Sequence, residues 1–417
     1  MFAVLSRVAL LATVALILAL TLIPVSGQGD ASISFNISGF RGIADAAANV
    51  LLFIPFGALA AMTMRGARRP VLAAAILSLG IELAQLAIPG RFVSPLDVVF
   101  NTVGGASGMT LMRTAHAWLL PGGRLRWLLP AVALAGALTV LVGGAFLFAP
   151  AIPEVVLYGQ WTADFENMAR YEGEVKDVFA GTLPVPSHRI ARSALLRRSL
   201  LRGDPLSIRL SAGPSTDALA PIFSIYDADE REMLLVGADG SDAVFRFRMR
   251  ATGARLDQPE IRVRSALTGT RPGSEAEIRV WPHERGYCVE VDRDQTCGLG
   301  FTVGETWSLL LYPMPDPARA LLPCAWLIAL MLPSGFWLRR TVTVAMAGVL
   351  TVAVLLVAPR LAGILDTPWS QLACILIGLA AGHLIGRSAW TRSVSERIAR
   401  SVHTPDRTPP PPGRTDP

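Results

Sequence analysis

The chain has 417 residues, of which 52% are hydrophobic and only 17% charged, whereas a soluble protein carries about 25% charge. That balance excludes an ordinary soluble enzyme. The net charge of +6 comes almost wholly from arginines set between apolar runs, so no nucleic-acid partner is expected.

Long apolar runs fill residues 8–24, 47–64, 70–89, 97–112, 127–149, 318–337, 341–358 and 369–386. Each approaches the roughly 20 residues needed to cross a hydrocarbon core. The expected fold is therefore an α-helical polytopic membrane protein of about eight spans with an all-β sandwich inserted into it. Five spans occupy residues 1–150 and three occupy 318–387. Arg7, Arg65, Arg68, Arg69, Arg113, Arg124, Arg126, Arg339, Arg340 and Arg387 mark alternate loops and ends. By the positive-inside rule both termini are cytoplasmic and residues 152–315 lie outside the cytoplasm. The first run is either an uncleaved span or a signal peptide with a weak cleavage site at Val25–Gly27. The tail 388–417 has a proline run and no apolar periodicity, and is expected to be disordered.

Within 152–315, alternation and β-rich composition place strands near Leu206–Leu210, Ile222–Tyr226, Met233–Val236, Ala243–Met249, Glu277–Trp281, Tyr287–Val291 and Ser308–Tyr312. Turn signals separate them, as in an antiparallel sandwich or barrel. Cys288 and Cys297 lie nine residues apart in this segment, where a hairpin disulfide is expected; two buried thiols are the alternative. Cys324 and Cys374 fall in apolar runs and read as small packing residues. His188–Arg202 carries five arginines among leucines. A solvated loop or strand surface is the first reading, and contact with anionic lipid headgroups the second.

The second to fourth runs hold an unusual density of polar residues. The second contains Asn49, Pro55 and Gly57, the third Glu82 and Gln85, and the fourth Asp97, Asn101, Gly104, Gly105 and Gly108, with Arg91 between the last two. Ionisable groups in hydrocarbon cost about 2.5–3.5 kcal/mol each even on the lenient insertion scale, so they stay only with a partner or a task. Glu82 and Gln85 share a helix face, as do Asp97 and Asn101. With the expected topology Asn49, Glu82, Gln85, Arg91, Asp97 and Asn101 converge at the outer leaflet as a ligand site. The bland alternative is internal glue, with Glu82 pairing Arg91 and Asn101 bonding Gln85. Gly104 and Gly108, in GxxxG register, offer a face for helix contact.

These stretches, N-x-x-L-F-x-P-x-G at Asn49–Gly57, E-x-x-Q at Glu82–Gln85, Arg91, and D-x-x-x-N-x-x-G-G at Asp97–Gly105, resemble the VanZ-like family over about residues 40–115. The resemblance implies a bacterial envelope protein, linked in some members to tolerance of glycopeptide antibiotics. The implied partners are membrane lipids and a glycan, lipid headgroup or lipid-linked cell-wall precursor; the oligomeric state is open. Two other functions remain: an enzyme on a lipid- or polyprenyl-linked substrate with Glu82 or Asp97 as acid–base group, and a scaffold or transporter. The inserted segment resembles a concanavalin or laminin-G sandwich, through Trp161–Phe165, Ile222–Asp227, Leu234–Gly240 and Trp307–Leu311. Such domains commonly bind carbohydrate or protein. Asp227, Asp229 and Glu230 form an acidic turn, read first as solvated and second as part of a calcium site. The histidines show no zinc spacing, and no metal or cofactor is expected.

Overall fold

The computed structural model describes residues 2–22, 32–33, 42–88, 92–165, 168–311 and 318–388. Arg91, Tyr312 and the tail beyond Ser388 lie outside the described residues.

Long helices form at all eight apolar runs. The first four are α1 (Phe2–Leu22), α2 (Gly42–Thr63), α3 (Arg68–Gln85) and α4 (Pro95–Arg113), with a two-residue parallel ladder of β1 (Ser32–Ile33) and β2 (Phe92–Val93) joining the connections on either side of α2 and α3. A short helix α5 (Ala115–Leu119) leads into α6 (Leu125–Leu147). The last three are α9 (Ala318–Trp337), α10 (Thr341–Ala362) and α11 (Trp369–Arg387). Of these, α1, α2, α6, α9, α10 and α11 are long and apolar enough to cross a membrane. The other two, α3 and α4, hold Glu82, Gln85, Asp97 and Asn101.

Between α6 and α9 the chain builds an all-β domain. In order it comprises β3 (Leu157–Trp161), β4 (Glu174–Ala180), β5 (Leu183–Pro184), α7 (Ser193–Arg202), β6 (Leu206–Ser211), β7 (Thr216–Asp227), β8 (Glu232–Gly240), β9 (Asp242–Phe247), α8 (Arg250–Gly253), β10 (Ile261–Val263), β11 (Glu275–His283), β12 (Gly286–Val291) and β13 (Asp294–Leu299). Two antiparallel sheets face each other, ordered β10-β9-β8-β7-β3 and β13-β12-β11-β6-β4-β5. Their inward residues, among them Ile208, Ile222, Ile225, Met233 and Ile278, are fully buried.

Two expectations are corrected. Ser308 and Leu309 belong to a 3-10 helix, Val303–Leu309, not a strand. Its start is fixed by a capping box in which Thr302 and Glu305 satisfy one another's end of the turn. Second, Ser193–Arg202 is a helix, with Leu196 and Ser199 buried against the sheets and Gly203 closing it at φ +86°. The alternation of leucine and arginine there has a helical period, which a loop reading overlooks.

The sandwich is welded to the second group of helices. Its 3-10 helix packs between α6 and α9, with Gly144 of α6 leaving room for the Thr306 side chain. Trp326 of α9 donates to Thr306 Oγ1 at 2.9 Å. Gln371 of α11 accepts from Gly304 N at 3.0 Å and donates to Thr302 Oγ1 at 2.7 Å. One apolar core runs from Leu327 and Met331 of α9 through Leu141 of α6 into both sheets.

Cys288 and Cys297 form the expected disulfide. A bulge in the β12–β13 ladder, between the Tyr287–Leu299 and Val289–Thr296 pairs, sets Cys297 and Gly298 opposite Cys288, with Gly298 at φ +73°. Cys324 and Cys374 are not separate packing thiols: they join α9 to α11 as a second disulfide. Mass mapping after alkylation without reductant is expected to find all four cysteines unlabelled; alkylated Cys324 and Cys374 would remove the second bridge.

The first group of helices depends on bare backbone contact. A Cβ on Gly104 would meet the Val50 carbonyl, one on Gly108 the Ile54 carbonyl, and one on Gly57 the Gly105 carbonyl. Gly105 itself presses on Ala74 of α3. Because backbone faces these positions, no rotamer change can make room. Overpacking ordinarily costs about 1–3 kcal/mol, and Gly108→Val is expected to reach or pass the top of that range. The readout is loss of folded protein in detergent-resistance and thermal-unfolding assays. Gly136→Val, where nothing lies within 4 Å of an added Cβ, is the matched control.

Candidate functional site

The close packing of α2 and α4 places Asn49 opposite Asp97, and the Asn49 side chain hydrogen-bonds the Asp97 carboxylate. Asp97 lies in the first turn of α4, whose N-terminal N–H groups favour a negative charge. Glu82 comes to the same helix end from α3: its Oε2 accepts from the backbone N–H of Ser94, the N-cap residue, at 2.9 Å. Pro95 follows at the first helical position, where its missing N–H costs nothing. Glu82 and Asp97 interact electrostatically, and Asp45 of α2 acts on Asp97 in turn.

Two further polar side chains of α3 and α4 are buried. Gln85 donates from Nε2 to the Thr21 carbonyl of α1 at 2.9 Å. Asn101 donates from Nδ2 to Ser78 Oγ of α3 at 2.9 Å, while its Oδ1 is buried with no hydrogen-bond partner. Only 5% of Glu82, 8% of Gln85 and 3% of Asn101 is exposed, so all three are held inside the bundle and do not face lipid. The proposed Asn101–Gln85 bond is thus corrected: each reaches a different helix. Whether Arg91 meets Glu82 lies outside the described residues.

Five of the six residues singled out from sequence, Asn49, Glu82, Gln85, Asp97 and Asn101, come together at one end of α2–α4. This is the end nearest the sandwich. The carbonyl of Arg255, in the loop after α8, accepts from Ile43 N at 3.3 Å and Ala44 N at 3.4 Å, capping the start of α2. Arg255 adopts φ +57°, a left-handed conformation costly for a side-chain-bearing residue. A sandwich loop therefore meets the end of α2 that carries Asp45 and Asn49.

Sequence reasoning missed Asp45, Ser78 and Thr21. Two of these had a signal. Asp45 precedes Asn49 by one helical turn, and Ser78 continues the Glu82–Gln85 stripe at i, i+4 and i+7. Thr21 contributes only its carbonyl, which no sequence pattern marks.

The acidic turn of the sandwich is already satisfied. Asp227 is 2% exposed and accepts from the backbone N–H groups of Asp229 and Arg231, both at 3.0 Å, and from Arg231 Nε at 2.8 Å. Its carboxylate staples the β7–β8 turn.

Residues 10–119 match the family model described as VanZ/LLP1, which extends the likeness beyond residues 40–115 to include most of α1. The match covers roughly a quarter of the chain. No curated protein and no solved structure matches.

The Asn101–Ser78 contact gives a direct test of packing within this cluster. Ser78→Ala strands a second Asn101 atom, at a cost of about 1–3 kcal/mol. Ser78→Ala combined with Asn101→Leu is expected to be less destabilising than Ser78→Ala alone, read by thermal unfolding.

Proposed function

We propose that the VanZ-like region at residues 10–119 is a recognition site at the outer leaflet of a bacterial inner membrane, and that eight spans leave both termini cytoplasmic and the sandwich outside. The observation that carries this reading is the convergence of Asn49, Glu82, Gln85, Asp97 and Asn101 at the sandwich-side ends of three helices, where the Arg255 loop meets the start of α2. Internal glue needs matched donors and acceptors, whereas the described residues of this cluster are acceptor-rich. Glu82, Asp97 and Asp45 bring carboxylates, and Asn101 Oδ1 is unpaired. An acceptor-rich site suits a donor-rich ligand, such as sugar hydroxyls or the ammonium of a headgroup or lipid-linked precursor. Recognition of such a cell-wall precursor would account for the link to glycopeptide tolerance that the VanZ likeness suggests. The sandwich, concanavalin- or laminin-G-like in its two sheets, would add glycan or partner contacts.

A second reading is favoured by the adjacency of Glu82 and Asp97. Two interacting carboxylates at one helix end are an arrangement able to take and return a proton, as an enzyme on a lipid- or polyprenyl-linked substrate requires. Glu82→Gln separates the readings. It abolishes turnover with binding intact if the residue is an acid–base group, and abolishes binding if the residue recognises ligand.

The isosteric changes leave local geometry standing, because a glutamine oxygen still accepts from Ser94 N. Glu82→Gln and Asp97→Asn are therefore expected to keep membrane abundance and thermal stability near wild type. Both should fail to complement a deletion strain grown with a glycopeptide. Full complementation, or disappearance from the membrane, would reject the site. Reporter fusions after Ala151 and Arg400 are expected to report opposite compartments; a shared compartment would overturn the topology.

A further inference from the structure

The sandwich has a membrane-proximal end and a distal end, and the two differ in character. The proximal end is fixed by three attachments. Pro150, three residues beyond α6, forms a bridge with Met249 just after β9. The β11–β12 hairpin tip reaches the α10–α11 connection, where Arg285 pairs with Asp366 and Gly286 abuts Leu365. The 3-10 helix enters the bundle at the same end.

Here the two sheets part around a cavity of about 150 Å³. Its wall is made by Leu206, Leu234, Phe245, Phe247, Val280 and Tyr287, residues of both sheets. Apolar cavities of this size elsewhere stay dry and admit a benzene-sized guest. The apolar wall also pushes the Tyr287 hydroxyl above its ordinary range through burial.

The mouth of the cavity is formed by Pro150 and Ile152 on the α6 exit segment, by Pro282, and by Leu200 and Leu201 of α7. Helix α7 is fixed there by Arg197, which donates from Nε to the Ile152 carbonyl at 2.8 Å and pairs with Glu154 at 3.2 Å. Gly203, at its C-terminus, rests on the Pro282 ring. On the outward face of α7, Leu195 is 41% and Leu201 47% exposed, interleaved with exposed Arg192 and Arg198 and with Arg202, which pairs with Asp204 at the cavity at 3.6 Å. Exposed leucines among arginines on a helix beside a bilayer are the pattern of an interfacial helix, with apolar side chains dipping inward and guanidinium groups at the phosphate level.

We propose that the proximal cleft of the sandwich holds the end of one acyl chain of an anionic phospholipid, with α7 binding the phosphate of its headgroup. The positive charge of α7 supplies the match to the headgroup, and the apolar wall supplies the match to the chain. The inference requires that α6, α10 and α11 span the bilayer. It does not depend on the cluster around Glu82 and Asp97.

The test uses the full chain in lipid nanodiscs containing phosphatidylglycerol with a diazirine near the end of one acyl chain. After photolysis, adducts are mapped by mass spectrometry. Expected are adducts on peptides carrying Phe245, Phe247 and Tyr287, reduced at least five-fold when phosphatidylcholine carries the same diazirine. Arg192→Glu with Arg198→Glu, both exposed and therefore compatible with folding, should bring phosphatidylglycerol labelling down to the phosphatidylcholine level. Adducts confined to α6, α9, α10 and α11 would overturn the proposal. So would cleft labelling that ignores both headgroup charge and the α7 substitutions.

Discussion

The N-terminal bundle rests on one contact, the bare backbone approach of α2 to α4. Gly57, Gly104, Gly105 and Gly108 remove the side chains that would otherwise hold these helices apart. Lipid tails give no hydrophobic drive for helix association, so close van der Waals packing must supply much of it. The same approach has a chemical result. It brings Asn49 against Asp97 and lets α3, pressed on Gly105 through Ala74, deliver Glu82 to the start of α4. The glycines and the polar residues are thus parts of one construction: the first sets the distance and the second uses it.

The sandwich follows a different rule. Its sheets bury their own core, yet that core continues into α6 and α9 without a break. Thr302, Gly304 and Thr306 bring backbone and hydroxyl groups into the helix bundle, and Gln371 and Trp326 satisfy them there. A buried polar group without such a partner costs more than a made bond returns, so these pairings fix the orientation of the domain. Arg255 adds a contact to the other bundle, at the start of α2. The domain therefore bridges both groups of helices, which a flexible tether could not do.

Much of this was legible in the sequence because hydrocarbon imposes a coarse, length-based pattern. All eight apolar runs became helices, and six strands formed at the positions that alternation marked. The strands left unmarked are instructive. Glu174–Ala180 has an irregularity between Val175 and Asp177 that breaks its alternation, and Lys176 and Asp177 set charge in its middle. Asp294–Leu299 is almost wholly exposed, so it carries no apolar signal at all. Ser308 and Leu309 mislead in the opposite sense. Both are buried, Leu309 as an apolar residue and Ser308 as a polar one, but in a 3-10 helix packed against helices, and burial alone does not state a partner. For the site, residue types and spacing pointed to five side chains that meet. The helix each one bonds depends on rotation about the helix axis, which spacing leaves undetermined. Gln85 reaching α1 and Asn101 reaching Ser78 are cases of that freedom.

The sandwich also joins the two groups of helices. Its Arg255 carbonyl takes the first N–H groups of α2, while Trp326 and Gln371 satisfy its 3-10 helix from α9 and α11. The Cys324–Cys374 bridge opposes relative sliding of α9 and α11. The start of α2 is therefore tied, through one folded domain, to a pair of covalently joined helices, and the polar residues that α2 carries, Asp45 and Asn49, lie within two turns of that attachment.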